Sequence, residues 1–191
     1  MPYVLYPDYN LIVLLIYNLL QVNIVVRCLV CFFVFIPSIV CAEIFIPEDI
    51  KPPFDAKSVL TVSAKGDQIY LCSLKNTIYS WQLQAPDAQL FDMNGQIVGK
   101  HYSGPIWEYK DGSQIVGQVL NKVDVDPKSS ISWLLVKIVS TKDRGVFSDV
   151  NFINRVNTHG GLPPLSGCDS NHLGAEKRVY YTANYIFYST R

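Results

Sequence analysis

From residue 57 onward, apolar and polar positions alternate in short runs with turn residues between them, and no stretch keeps a helical period. Val59–Ala64 (VLTVSA) alternates, Lys65-Gly66-Asp67 reads as a turn, and Gln68–Leu74 continues as a strand, which makes a hairpin. Thr77–Gln84 is another strand, and Ala88–Asp92 leads into Met93-Asn94-Gly95. Asn-Gly is a strong hairpin signal because both residues tolerate positive φ. Gln96–Tyr102 returns, Ile106–Lys110 runs to a second such turn at Asp111-Gly112, and Ser113–Val119 returns again. Ile131–Ser140 (ISWLLVKIVS) is nearly continuous in apolar residues, the pattern of a central strand buried on both faces. Asp143-Arg144-Gly145 is a turn, and Phe147–Asn157 fits a short helix or a strand. His159–Leu173 is a long Gly- and Pro-bearing loop, and Arg178–Ser189 (RVYYTANYIFYS) closes the chain as an aromatic strand. The expected fold is all-β: a single antiparallel sandwich or barrel, the two being indistinguishable at this level.

The first 42 residues follow a different rule. Two apolar runs, Leu11–Leu20 and Cys28–Val40, flank Arg27, and Val40-Cys41-Ala42 closes the second as a small-residue cleavage site. The expected organisation is a cleavable signal segment over 1–42 and one all-β domain over 43–191, with export to the periplasm, cell envelope or extracellular space. The leader MPYVLYPDYN is unusual for a signal peptide, which fits a translation start nearer Val25 or Val26. The competing reading is an uncleaved membrane anchor, since the combined stretch is long enough to span a bilayer.

Cysteine usage sharpens the export reading. Of five Cys, Cys28, Cys31 and Cys41 fall in the leader, and Cys72 and Cys168 remain. An even pair in an oxidising compartment is most simply a disulfide. Net charge is zero, with 16 basic and 16 acidic residues, so the positive footprint of a nucleic-acid binder is missing. The high aromatic content, with twelve Tyr, suits pleated half-buried surfaces and would also suit a glycan-binding face.

Five stretches together carry a resemblance: AKGDQIYLC (64–72), GKHYSGPIWEYKDGS (99–113), SWLLV (132–136), INRVNTHGG (153–161) with Gly167-Cys168, and VYYTANYIFY (179–188). In order, they resemble a family of exported bacterial and fungal proteins classed as a domain of unknown function, some fungal members of which carry a malate-dehydrogenase label. The resemblance implies export and a paired Cys72 and Cys168, and it implies no established chemistry. A nicotinamide enzyme needs a GxGxxG-like turn between a strand and a helix, which this chain does not contain.

The densest ionisable cluster is His101, Glu108 and Asp111. A His101–Glu108 pair at one end of a hairpin would serve as general acid and base, whereas a packed His101, a Glu108 paired to an Arg such as Arg155, and a turn-forming Asp111 would be structural. Arg155, Asn157 and Thr158 before Gly160-Gly161 suit an anion or sugar hydroxyls, or a buried Arg–carboxylate tie. His101, His159 and His172 lack the spacing of a zinc site, and no metal or cofactor is expected. Trp133 is expected in the core and Trp107, beside Gly104-Pro105, as an exposed stacking ring. The leading expectation is a non-enzymatic binding or structural module for a small molecule, glycan or envelope protein, with His101, Tyr102, Trp107, Glu108 and Arg155 lining any site. The alternative is a hydrolase-like enzyme using His101 and Glu108.

Overall fold

The computed structural model describes residues 44–191. The signal segment, its cleavage site, the alternative start, and Cys28, Cys31 and Cys41 lie outside the described residues. Among the described residues no helix is long and apolar enough to cross a membrane.

Eight strands form one sheet: β1 (Lys57–Lys75), β2 (Ile78–Phe91), β3 (Ile97–Tyr102), β4 (Ile106–Tyr109), β5 (Gln114–Val123), β6 (Trp133–Lys142), β7 (Phe152–Gly160) and β8 (Glu176–Ser189). Each pairs antiparallel with the next, and β8 returns to β1, so the sheet closes into an up-and-down barrel. Closure decides between the two expected architectures. The Asn94-Gly95 and Asp111-Gly112 signals sit in the β2–β3 and β4–β5 turns, with Gly95 and Gly112 at φ 76° and 90°.

Lys65-Gly66-Asp67 is not a turn. β1 runs unbroken through it for 19 residues and pairs with β2 on one side and β8 on the other. Gly66 serves close approach instead: a Cβ there would lie 2.1 Å from the Asp87 carbonyl oxygen and 2.4 Å from the Ala88 Cα. A strand this long must coil sharply to close a barrel, and a glycine lets the neighbouring backbone fold in. The Phe147–Asn157 ambiguity resolves into a tight turn over 145–150, then the strand β7. The Ile131–Ser140 run forms most of β6, but its two faces differ. Val136 faces the barrel interior, whereas Leu135 is buried on the outside beside Asn154, which donates to the Ile50 carbonyl at 2.8 Å and the Leu134 carbonyl at 3.0 Å. The N-terminal lead-in thus covers this patch with the fully buried Ile50.

Along β1, Val62, Ala64, Gln68, Tyr70 and Cys72 are buried and the residues between them are more exposed, as period two requires. Thr61, Ser63, Lys65 and Asp67 point outward, so along this stretch of β1 the outer face is polar. The interior is filled unevenly. At the end where β1 begins and β8 finishes, Val62, Leu90, Ile115, Ile153 and Phe187 pack around Phe147, which plugs the barrel. Phe147 stacks on Phe187 at 4.7 Å and meets Tyr109 edge-on at 5.6 Å. Asp111 holds this plug in place. Its carboxylate accepts from the Ser113 hydroxyl at 2.6 Å, the Ser113 amide at 2.9 Å and the Val146 amide at 2.8 Å. Those bonds, the Ser113 hydroxyl's foremost, hold its carboxyl below the usual range.

At the other end, Cys72 and Cys168 form a disulfide that ties β1 to the 161–175 loop. Around it Tyr70 and Trp81 are buried against Ala175 and Val179. Trp81 Nε1 donates to the Ser166 carbonyl at 2.9 Å, and the Tyr70 hydroxyl donates to the Gly161 carbonyl at 2.6 Å, so these side chains and the disulfide fasten the loop in addition to its backbone bonds with Cys72.

Two stability measurements follow from this division. Replacing both Cys72 and Cys168 with Ala is expected to lower unfolding stability by about 2–5 kcal/mol, because the bridge spans 96 residues and restricts the unfolded chain. Reductant should reproduce that loss in a thermal melt of the unmodified protein. Phe147→Ala is expected to cost about 3–5 kcal/mol in denaturant unfolding, since the side chain is fully buried and its ring contacts with Phe187 and Tyr109 are lost.

Candidate functional site

The half of the barrel away from Phe147 holds its polar interior. The β3–β4 register sets Lys100 opposite Glu108 and His101 opposite Trp107. Alternate residues of a strand face opposite sides of a sheet, so His101 and Trp107 enter the barrel while Tyr102 and Glu108 stay outside. The His101 and Trp107 rings stack at 4.0 Å with planes 12° apart, and the Tyr185 ring meets them edge-on at 5.3 Å and 5.6 Å. Gly117 makes room for this stack, because a Cβ there would lie 2.8 Å from the Trp107 ring and 2.4 Å from Val136.

His101 Nδ1 lies 2.9 Å from the Ile106 carbonyl, which can only accept, so Nδ1 carries the proton and Nε2 is left as an acceptor. Burial lowers the pKa of this imidazole from 6.5 to about 3, with the nearby Arg155 charge acting in the same direction and the Ile106 bond opposing. His101 is therefore neutral at physiological pH. Burial likewise raises the pKa of the Tyr181 and Tyr185 hydroxyls, and Arg155 only partly offsets it, so both stay protonated. The two hydroxyls lie 3.5 Å apart.

Arg155 enters from β7, opposite Leu134 on one side and Tyr185 on the other. Its Nε and Nη2 donate to the Ser132 carbonyl at 3.1 Å and 2.8 Å. Among the described residues no carboxylate lies within ion-pair distance of it. Gln68, from β1, is 2% exposed, and its side chain makes no hydrogen bond among the described residues. Gln68, His101, Trp107, Arg155 and Tyr185 line a cavity of about 400 Å³ whose remaining wall includes Leu83, Val119, Leu134 and Val136. An adjoining hollow of about 340 Å³ shares Gln68, Leu83 and Arg155 and is bounded by Tyr70, Ile131 and Leu162.

Of the five residues expected at a site, the structure brings His101, Trp107 and Arg155 together and leaves Tyr102 and Glu108 on the outer surface. There the Tyr102 hydroxyl donates to Glu108 at 2.8 Å, Gln114 donates at 3.1 Å and Lys100 pairs with it at 3.2 Å. The Tyr102 bond foremost, with Lys100 and Gln114, holds the Glu108 carboxyl below its usual range. The His101–Glu108 pair is not formed, and neither is a Glu108–Arg155 or other Arg155–carboxylate tie. The two tryptophan expectations exchange places: Trp107 is 3% exposed inside the barrel, and Trp133 is only half-buried at the start of β6. Thr158 is buried and donates to the Ile131 carbonyl at 2.5 Å, a structural tie. His159 is exposed, and His172 bonds Asp169 within the 161–175 loop at 2.8 Å, so the three His fall in separate settings. Gln68, Tyr181 and Tyr185 were missed. The alternation in Arg178–Ser189 carries the signal for Tyr181 and Tyr185, and the turn assigned at Gly66 hid the one for Gln68.

Fold and site together define an eight-stranded antiparallel barrel, plugged at one end, with a part-polar cavity in the other. The chain belongs to a family of proteins of unknown function, designated DUF3455, whose model matches residues 52–189. That span takes in all five lining residues named above and both disulfide cysteines. Neither the curated proteins nor the solved structures contain a match to the chain.

The state of His101 is open to direct measurement. The unfolded chain takes up a proton at this ring below about pH 6.5, and the folded chain does so only near pH 3. The stability contributed by burying the neutral ring is thus complete above pH 6.5 and is lost progressively as pH falls toward 3. In an NMR titration, the His101 ring signals should stay constant between pH 8 and pH 4. His101→Phe should flatten the decline of Tm over the same interval. A His101 midpoint near 6.5 would contradict the buried, neutral assignment.

Proposed function

We propose that this chain is an exported, single-domain binding module that holds one small molecule in the unplugged half of its barrel. The observation that carries this reading is the cavity itself. One half of the interior is filled by clustered, buried apolar side chains, while the other keeps about 400 Å³ free, within the range of small-ligand sites. Mostly apolar walls with a few convergent polar groups are what such sites present. Leu83, Val119, Leu134 and Val136 favour a largely apolar body over a glycan chain, whose many hydroxyls would each need a partner.

Binding is favoured over catalysis by the state of His101. A general base works best with a pKa near the operating pH, and this imidazole is held near 3 with one nitrogen committed to a backbone carbonyl. Export is supported by the Cys72–Cys168 bridge, which persists in oxidising compartments, and by the apolar leader ahead of residue 43.

Leu134→Trp tests the reading by filling the cavity wall from β6. The protein recovered from an oxidising compartment is screened by thermal shift against small apolar acids, apolar amides and short glycans. A ligand from one of the first two classes should raise Tm by several degrees, and Leu134→Trp, folded by circular dichroism, should abolish the shift. A response confined to glycans and unchanged by Leu134→Trp would place binding outside the barrel and overturn the proposal.

A further inference from the structure

The cavity's polar groups are arranged around an unanswered positive charge. Arg155 has five N–H donors; its Nε and one Nη2 donor bond the Ser132 carbonyl, the Tyr185 hydroxyl lies within its reach, and no carboxylate pairs with it among the described residues. A half-buried guanidinium without a carboxylate loses hydration that these bonds replace only in part, and its charge is left unpaired. Gln68 beside it lines both hollows with its amide unpartnered. Buried polar groups in a finished core are nearly always hydrogen-bonded, so an amide without a chain partner and an unpaired guanidinium lining the same two hollows mark a place for something else. One chain acid, Asp124, also lines the second hollow, where it accepts from the Ser132 hydroxyl and lies 3.8 Å from Lys122, a residue of the first; it makes no ion pair with Arg155.

The opposite wall has the complementary character. His101 presents a neutral Nε2 lone pair beside the flat Trp107 ring. That end repels an anion and accepts a hydrogen-bond donor or an aromatic edge. The two ends together give the cavity a direction.

We infer that the cavity selects a small organic monoanion, a carboxylate on a flat apolar body, with the carboxylate held by Arg155 and Gln68 and the body lying along Trp107 and His101. The inference rests on the binding reading and adds the ligand's charge and orientation to it. Guanidinium is the side chain best matched to a carboxylate, because its planar fork donates two parallel bonds. The Tyr185 hydroxyl lines the same cavity within reach of Arg155 and 3.5 Å from the Tyr181 hydroxyl, and its own proton offers a further donor.

The test uses an isosteric pair, 2-naphthoate and 2-naphthamide, which differ in charge and hardly in shape. Calorimetric titration of the unmodified protein should show naphthoate binding at least tenfold tighter than naphthamide. Arg155→Met should erase that preference, leaving naphthamide affinity within about twofold, and Arg155→Lys should restore part of it. Gln68→Leu should lower the preference more modestly. Equal binding of the two probes to the unmodified protein would overturn the anionic inference while leaving the cavity reading intact, and it needs no variant. Binding of neither probe would remove both. A preference for naphthoate that survives Arg155→Met would place the anion elsewhere and overturn the assignment.

Discussion

The β1–β8 ladder is the contact on which the rest of this molecule depends. It pairs Lys57 with Ser189 at one end and Leu71 with Glu176 at the other, joining the first strand to the last. Without it the remaining strands would form an open meander with two exposed edges, and every inward side chain would face water. The ladder exists because β1 is long enough to serve two neighbours at once and can bend at Gly66. Beside Gly66, Arg178 of β8 reaches Asp67 of β1 at 3.2 Å and bonds Asp87 of β2, tying three strands together. The disulfide then joins the far end of β1 to the loop that leads into β8, so the closing pair is fixed covalently as well as by hydrogen bonds.

Closure makes a container, and the distribution of large side chains makes it lopsided. Phe147, Phe187, Ile115, Ile153 and Leu90 fill the end where β1 begins and β8 finishes, and Asp111 pins the turn that delivers Phe147. Toward the other end the interior positions are taken by Gln68, His101, Arg155, Tyr181 and Tyr185, which cannot be packed away without partners. A barrel of eight strands has an interior just wide enough to be filled or to hold one small ligand. This chain does the first in one half and the second in the other. The orphaned Trp107 Nε1 belongs to the same compromise, since the ring is stacked on His101 in an orientation that leaves its N–H unbonded.

The parts legible in advance were those governed by neighbours in the chain. Asn94-Gly95 and Asp111-Gly112 mark turns because their conformational freedom is a local property, and both are turns in the barrel. Gly66 shows the limit of that logic. Its freedom is used for a close approach by Asp87 and Ala88, more than twenty residues away in sequence, so a local reading takes it for a turn. The candidate site fails in part for a related reason. His101 and Glu108 are near in sequence and sit on adjacent strands, but a shift of one position along a strand changes the face. The register that puts His101 beside Trp107 puts Glu108 beside Lys100, and one pair lies within the barrel while the other lies outside.

By itself the sequence determined that the chain would be β-structured, where several of its turns would fall, and that Cys72 and Cys168 were the pair available for a disulfide. Period-two alternation and turn chemistry act over a few residues and need no knowledge of the fold. Only the tertiary structure decided that the sheet closes, that Trp107 is an interior ring and Trp133 a half-exposed one, and that Arg155 stands without a carboxylate beside Gln68. Those outcomes depend on which strands become neighbours and in what register. Pairing between residues some hundred positions apart follows from the bend and length of β1, which the periodicity of the chain does not record.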